Sequence, residues 1–271
     1  MTKLSPSSSY PTLLGPDEAP AVSVFNEQAS TPLLLICDHA SNAIPRKLGT
    51  LGLDREVLDR HVGYDIGAAA VTRGLAERLD CIAIMTNYSR LVIDCNRQPG
   101  DPTSIPEISD GIAVPGNLGL DADAAAERVA TFFTPYHDTI TQAIARLWHH
   151  HSAAPALMSV HSFTPMLMDC QPRPWHIGVL WNRDPRIAVP MLRALNGYAD
   201  LCVGDNEPYS GRQMGYSVDT HAGAAGLPHV SVEIRQDLIS DEAGTKRWAE
   251  LLAEVLGPIL AEPGLHRAQL Y

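Results

Sequence analysis

Six short apolar segments occur along the chain, and each has the pattern of a buried β-strand. A strand that is apolar along its whole length is typical of a parallel sheet covered by helices on both faces. Several of these segments end in polar residues, as strands do when they open onto a binding site. The predicted strands are PLLLICDH (32–39), CIAIMTN (81–87), RLVIDC (90–95), ALMSVH (156–161), HIGVLW (176–181) and HVSVEI (229–234).

Longer segments with helical spacing of apolar residues lie between these runs. Residues 53–79 show this spacing, with a break expected near Gly63. Residues 121–150 show it as well, with Asp121 as the N-cap and Pro135 as the place where the helix should kink or split. Further helices are predicted at about 184–197 and 241–261. Strands that alternate with helices predict an α/β fold with a mainly parallel sheet, whose ligands bind at the carboxyl ends of the strands.

The length of 271 residues is sufficient for one large α/β domain. The Ser- and Pro-rich residues 1–20 predict a mobile lead-in, which leaves a single domain over residues 21–271. Residues 98–119 are rich in Pro and Gly and predict a long functional loop. No apolar run approaches the roughly 18 residues of a membrane helix, and the N-terminus lacks the apolar segment of a secretion signal.

Charge and cysteine content narrow the classes of partner and compartment. The net charge of -11 argues against nucleic acid as a partner, although a local cluster of Arg residues could still bind a small anion. The cysteines are odd in number, widely spaced and without a CxxC pair, which predicts reduced thiols in a cytoplasmic protein. They are Cys37, Cys81, Cys95, Cys170 and Cys202.

Polar residues that can bind a metal ion or an anion follow several predicted strands. The first strand ends in Asp38 and His39, the third in Asn96 and Arg97, the fourth in His161, and the last in Glu233. Two imidazoles and a carboxylate can hold Zn²⁺ while leaving a position for water. A further Glu can accept a proton from that water, and an Arg can bind an anionic substrate through two parallel hydrogen bonds. The strand ends therefore predict a hydrolytic metal site.

Six segments together resemble the N-formylglutamate amidohydrolase family. They are DHASNAIP, HVGYDIGA, SRLVIDCNR, SVHSF and NEPYSG followed by SVEIRQDL, in the order in which the family carries them. The resemblance covers about residues 32–240. It implies a three-layer α/β/α fold with a mixed, mainly parallel sheet, related to the zinc exopeptidases. It also implies one zinc ion, hydrolysis of N-formyl-L-glutamate to glutamate and formate, and a role in histidine degradation.

The resemblance implies a role for each matching residue. His39 and His161 correspond to the metal ligands, Glu233 to the general base, and Asn96 with Arg97 to the pair that binds the α-carboxylate of the substrate. Carboxypeptidases place a Glu three residues after the first histidine, where this chain has Asn42. We therefore expect Asp65 as the third metal ligand, although a helix-capping or salt-bridging role for Asp65 stays open. His61, four residues earlier, is either its outer partner or a surface residue.

Three further residues have weaker assignments. Arg90 is expected to stabilise the oxyanion of the tetrahedral intermediate, or else to be a cation at the edge of a strand. Tyr209 and Arg212 lie in a segment rich in Gly and Tyr and are expected to contact the substrate, unless that segment is only an ordered surface loop.

Three hypotheses stay open from the sequence. The first is an amidohydrolase for a small N-acyl amino acid, with N-formyl-L-glutamate as the expected substrate. The second is a peptidase on the same fold, which would show a long open groove. The third is a binding protein that has lost the metal, and Asn42 favours it. The sequence does not decide the oligomeric state, and a homo-oligomer is compatible with it.

Overall fold

A mixed sheet of seven strands forms the centre of the protein. The computed structural model describes residues 13–167 and 171–271. The strands are β1 (Val22–Phe25), β2 (Leu33–Cys37), β3 (Ile82–Thr86), β4 (Ile108–Ser109), β5 (Ile112–Ala113), β6 (Ala156–Phe163), β7 (Ile177–Leu180), β8 (Val203–Asp205) and β9 (His229–Arg235). Their order in the sheet is β1-β3-β2-β6-β9-β7-β8, while β4 and β5 form a separate hairpin. The pairs β1–β3 and β7–β9 are antiparallel, and the other pairs of the central sheet are parallel.

Helices cover both faces of this sheet. The α-helices are α1 (Arg55–Leu58), α2 (Ala68–Leu79), α3 (Ala122–Arg128), α4 (Thr134–His151), α5 (Ala188–Leu195), α6 (Tyr216–Val218) and α7 (Glu242–Leu260). Short 3-10 turns occupy Arg46–Leu48, Pro115–Asn117 and Gln236–Leu238, and π-helical turns occupy Val129–Phe133 and Asp219–Gly223. Within the described residues, no helix is both long enough and apolar enough to cross a bilayer.

Two separate cores account for the continuous apolar character of the strands. In β2, Leu33, Leu35 and Cys37 pack into a core with α2, α5 and α7. The intervening Leu34 and Ile36 pack into a second core with the π turn before α4 and with α4 itself. Successive side chains of a strand point to opposite faces, so both sets are buried. The three-layer α/β/α fold with a mixed sheet is confirmed.

The helix boundaries agree with the breaks expected from the sequence. The segment 53–79 forms α1 and α2, and Gly63 lies between them, where an added Cβ would stand 2.3 Å from the carbonyl oxygen of Leu58. Asp121 caps α3 by accepting a hydrogen bond from the backbone N–H of Ala124 at 2.8 Å. The expected interruption near Pro135 takes the form of the π turn that joins α3 to α4.

The prediction of a strand at residues 90–95 is wrong. Val92 donates its N–H to the carbonyl of Ser89 in a turn, and Asp94 donates to the carbonyl of Ser104. The carbonyl of Val92 accepts from the buried guanidinium of Arg128 instead of from a neighbouring strand. The segment is apolar because Leu91, Val92 and Ile93 are buried in the second core, which a loop can achieve as well as a strand can.

The mobility proposed for residues 1–20 stays a prediction. Residues 1–12 lie outside the described part of the chain, as does Cys170. Residues 13–20 contact the domain: Leu13 is buried, the hydroxyl of Tyr88 donates to the carbonyl of Ala19 at 2.8 Å, and Asn87 donates to the carbonyl of Pro20.

Candidate active site

A cavity of about 240 Å³ opens at the carboxyl ends of β2, β6 and β9. His161 and Glu233 are register partners on neighbouring strands, so their side chains project from the same face of the sheet. His39 follows the end of β2. The cavity therefore lies where an α/β sheet of this kind binds its ligands. Of the predicted site residues, the structure brings His39, Asp65, Arg90, Asn96, Arg97, His161, Tyr209 and Glu233 to its walls.

Three buried side chains converge on one point of this cavity. The Nδ1 atom of His39 lies 3.2 Å from Oδ2 of Asp65, and the Nδ1 atom of His161 lies 2.8 Å from the same oxygen. The ligand atoms of the three residues lie within 4.8 Å of one another, so this group could hold a metal ion. Asp65 is brought there by the loop between α1 and α2, where its backbone N–H donates to the carbonyl of His39 at 3.0 Å.

The outer nitrogens of both imidazoles are held by other groups. Nε2 of His39 lies 2.7 Å from Oδ1 of Asp94, and Nε2 of His161 lies 2.8 Å from the hydroxyl of Ser159 and 3.1 Å from Oδ2 of Asp38. Metal-binding histidines usually donate their second N–H to a carboxylate or carbonyl, which fixes the ring and turns the other nitrogen to the ion. The arrangement meets that requirement for both rings.

The charge balance of the site favours a cation. Asp38, Asp65, Asp94 and Glu233 are all buried, and the guanidinium of Arg90 pairs with two of them, at 2.7 Å from Asp94 and 3.5 Å from Asp65. Burial by itself would lower the pKa of His161, but its hydrogen bonds to Asp38 and Asp65 outweigh burial and hold that pKa well above its ordinary value. Buried carboxylates need compensating positive charge, which a protonated imidazole or a bound ion can supply.

Glu233 differs from the other three carboxylates. Its Oε2 atom is buried and has no hydrogen-bond partner within the described residues. Burial, together with the nearby charge of Asp65, raises the pKa of Glu233 to about 7. A carboxylate with a free oxygen and a pKa near neutrality is suited to accept and return a proton.

Asp38 received no role from the sequence, yet it holds several parts of the site together. Its carboxylate accepts hydrogen bonds from the hydroxyls of Tyr136 at 3.0 Å, Ser159 at 2.9 Å and Ser217 at 2.6 Å. Burial would raise the pKa of Asp38, but the hydrogen bond and charge of His161 and the hydroxyl of Ser217 hold it below its ordinary value. Its position beside His39 at a strand end was the only signal in the sequence.

The Asn96–Arg97 pair is brought to the cavity by a loop and not by a strand. Oδ1 of Asn96 accepts from the backbone N–H of Ser217 at 3.0 Å, which fixes this loop to the start of α6. The guanidinium of Arg97 donates to the carbonyl of Asn96 at 2.9 Å. In the part of the chain that the structure describes, Arg97 forms no ion pair with Asp94 or Asp101, so its charge is available to a ligand.

Asn42 is turned away from the converging ligands. Its Nδ2 atom donates to the carbonyl of Leu58 at 3.2 Å and to Oδ1 of Asp59 at 2.7 Å. Asp65 converges with His39 and His161, so it could serve as the third ligand. His61 lines the cavity but does not partner Asp65, since its Nε2 atom pairs with Asp110 at 2.9 Å and α1 ends before it.

The segment that carries Tyr209 and Arg212 contacts the cavity through only one of them. Tyr209 lines the cavity, whereas Arg212 is exposed and lies outside its walls. The hydroxyl of Tyr209 accepts a hydrogen bond at 3.0 Å from Arg173, a residue that the sequence did not single out. The sequence did not indicate a role for Arg173, because this residue lies in a Pro-rich loop without an adjacent motif.

Comparisons with known proteins indicate the family of the chain. The model of the N-formylglutamate amidohydrolase family matches residues 31–240. N-formylglutamate deformylase of Pseudomonas aeruginosa is 27% identical over 212 residues, covering 69% of this chain and 75% of that protein. The crystal structure of a gene product of Agrobacterium tumefaciens has a TM-score of 0.88 at 37% identity, covering 92% of this chain and 98% of that one.

A second solved structure supports the fold alone. N-formylglutamate amidohydrolase of Ralstonia eutropha has a TM-score of 0.67 at 18% identity, covering 89% of this chain and 97% of that one. The family model spans most of the present chain and includes every residue of the converging site. The chain therefore belongs to the N-formylglutamate amidohydrolase family and is an enzyme that hydrolyses an amide bond.

Proposed function

We propose that the protein is a metal-dependent amidohydrolase that removes the N-formyl group from an acidic amino acid, with N-formyl-L-glutamate as substrate and glutamate and formate as products. The observation that carries the proposal is the convergence of His39, His161 and Asp65 beside a carboxylate, that of Glu233, with a free oxygen. Other N-acyl amino acids of similar size are the alternative substrates.

Zinc fits the group of side chains best. Two imidazole nitrogens and one carboxylate are the donors of many catalytic zinc sites, which leave a fourth position open. An ion bound there would act as a Lewis acid that activates water and polarises the amide carbonyl. Asp94 and Asp38 keep the imidazoles oriented, since each lies within hydrogen-bond distance of an outer nitrogen.

Side chains of the protein carry out proton transfer, stabilisation of the transition state and binding of the substrate. Glu233 accepts the proton of the attacking water and delivers it to the departing amine nitrogen. Arg90 is partly exposed to the cavity and held by Asp94 and Asp65, a position from which it can donate to the oxygen that becomes negative in the transition state. Asn96 and Arg97 bind the α-carboxylate and thereby position the amide bond of the substrate relative to Glu233.

The size of the cavity favours a small substrate over a peptide. Its volume of about 240 Å³ lies below the range of roughly 300–1,000 Å³ for sites of drug-sized ligands. A single amino acid with a formyl group fits such a space, whereas a peptidase needs a groove that extends past the reacting bond. The reading of the chain as a metal-free binding protein loses its support, because Asn42 does not stand among the converging residues.

The expected compartment is the cytoplasm. Cys37, Cys81 and Cys95 are buried free thiols, and Cys202 is a partly buried one, as is usual under reducing conditions. The expected partner is a small N-acyl amino acid, with neither nucleic acid nor a membrane involved.

Metal content and turnover test the proposal together. Protein purified without chelator is expected to hold about one divalent ion per chain, as a site with three protein ligands would. It should release formate from N-formyl-L-glutamate, lose this activity after dialysis against a chelator and regain it when Zn²⁺ is restored. Full activity in protein free of metal, or no formate release from the metal-loaded protein, would contradict the proposal.

Arg97→Lys is expected to weaken use of the acid substrate by about 10-fold or more in kcat/KM. A Lys cannot reproduce the planar, two-point contact of a guanidinium with a carboxylate, and a hydrogen bond to a charged group contributes about 1.5–3 kcal/mol. The α-amide of N-formylglutamate should lose much less, because it has no α-carboxylate. Initial rates on both substrates measure the difference, with Arg212→Lys as the matched control. Equal losses on acid and amide would assign Arg97 a structural role.

A further inference from the structure

The substrate proposed above carries two carboxylates, and the cavity must bind both. Arg97 is available for one of them. Arg90 pairs with Asp94 and Asp65 and is assigned above to the oxyanion, and Arg212 lies outside the walls. The selection of an acidic side chain therefore requires another positive group close to the cavity.

Arg173 lies directly behind one wall of the cavity. Its guanidinium carbon stands 4.9 Å from the ring centre of Tyr209 and 5.9 Å from that of Phe163. Its Nη1 atom donates to the hydroxyl of Tyr209 at 3.0 Å and to the carbonyl of Thr164 at 3.4 Å. Phe163, Thr164 and Tyr209 all line the cavity. Among the residues that the structure describes, no carboxylate forms an ion pair with Arg173.

The hydrogen bond from Arg173 determines what Tyr209 can offer to a ligand. Because the phenol oxygen accepts from the guanidinium, its own proton remains free to be donated. Burial, with the charge of Glu233, raises the pKa of Tyr209, and this keeps the hydroxyl protonated despite the opposing effect of Arg173. A neutral hydroxyl backed by a guanidinium is a strong donor to an anion, because the charge behind it polarises the O–H bond.

We propose that the hydroxyl of Tyr209, supported by Arg173, binds the side-chain carboxylate of the substrate and selects acidic over neutral amino acids. This inference rests on the proposed function, and it assigns Arg173 the role of a specificity-determining residue. Tyr209 touches the carboxylate, whereas Arg173 acts through its hydrogen bond to Tyr209. The two carboxylates of the substrate are then held by Arg97 and by the Tyr209–Arg173 pair.

A purely structural role for Arg173 is the competing explanation. The same contacts connect the end of β6 to the segment around Tyr209, so they could simply hold the cavity wall in place. The two explanations differ in one respect. If Arg173 only supports the wall, its substitution should lower kcat/KM equally for every substrate. If it helps to bind the side-chain carboxylate, its substitution should lower kcat/KM only for the substrate that carries this group.

The test compares N-formyl-L-glutamate with N-formyl-L-glutamine, which has nearly the same shape without the side-chain charge. The variants are Tyr209→Phe, which removes only the hydroxyl, Arg173→Gln, which removes the charge, and Arg173→Lys, which restores it. Arg212→Gln, in the same segment as Tyr209 but outside the cavity, is the control. Metal content and melting temperature are measured for each variant.

Tyr209→Phe and Arg173→Gln are expected to lower kcat/KM for the glutamate substrate by about 10- to 100-fold, mainly through KM, as the loss of a hydrogen bond to a charged group does. The glutamine substrate should change by less than about 3-fold, within the usual context dependence of such contributions. Arg173→Lys should recover part of the preference, and Arg212→Gln should keep all of it.

The outcomes separate this inference from the proposed function. Equal losses on both substrates, or an unchanged preference in Tyr209→Phe, overturn this inference and leave the amidohydrolase intact. Equal use of both substrates by the unmodified enzyme overturns this inference as well. If the metal-loaded enzyme hydrolyses neither substrate, the proposed function itself is overturned.

Discussion

Glu233→Gln is expected to lower kcat by roughly 10²- to 10⁴-fold, the range that general acid–base catalysis supplies, while the fold and the metal content are retained. Gln has nearly the same shape as Glu but cannot accept a proton at neutral pH. The free, buried Oε2 atom and the pKa of about 7 make Glu233 the carboxylate best suited to that transfer. Single-turnover and steady-state rates of formate release measure the effect.

The matched control for this change is Glu262→Gln, which alters an exposed carboxylate in the turn after α7. It should leave kcat unchanged. Metal analysis and a melting curve on both variants exclude loss of the ion or of the fold as the cause. If Glu233→Gln retains a kcat within about 10-fold of the unmodified enzyme, the general base is another group.

Asp38→Ala is expected to lower the free energy of unfolding by about 3–5 kcal/mol, the cost of breaking a buried charged network. The change leaves the hydroxyls of Tyr136, Ser159 and Ser217 and the Nε2 atom of His161 without their common acceptor. It should also weaken metal binding by about 10- to 100-fold, because the ring of His161 is no longer oriented. Urea unfolding and titration with Zn²⁺ measure the two effects.

A second variant keeps this prediction testable if the first unfolds. Asp38→Asn retains the shape and one acceptor but removes the charge, so its stability should fall less while metal binding still weakens. Asp200→Asn, an exposed position before β8, serves as the control. Unchanged Zn²⁺ affinity in a folded Asp38→Asn protein would show that Asp38 supports the fold without orienting His161.

The strands that carry the site could be predicted because burial on both faces of the sheet requires runs of apolar residues. The runs that became β2, β6 and β9 are rich in apolar residues since both faces of the sheet are covered, and each one ends at the cavity. Residues 90–95 have the same apolar pattern for a different reason. They form a buried loop. Apolar residues alone do not show whether the backbone of such a segment forms hydrogen bonds with a neighbouring strand or within turns.

Contacts between loops that are distant along the chain could not be predicted from the sequence. Arg212 and Arg173 are both cations in loops, and only the docking of the segment around Tyr209 against the end of β6 decides which of them stands behind the cavity. The direction of β7, which runs antiparallel to β9, depends in the same way on how the connecting chain crosses the sheet. Asp38 gains its partners from α4, β6 and α6, which come together only in the folded molecule.

The wide separation of His39, Asp65 and His161 along the chain has a consequence for how an ion and the fold depend on each other. No short segment contains two of these residues, so the unfolded chain offers no preformed chelate. An ion held by all three is bound by the native state alone, and its binding free energy is added to the free energy of folding. Binding of an ion would then stabilise the docking of the α1–α2 loop against the sheet, through the same three side chains that are proposed to hold the ion for catalysis.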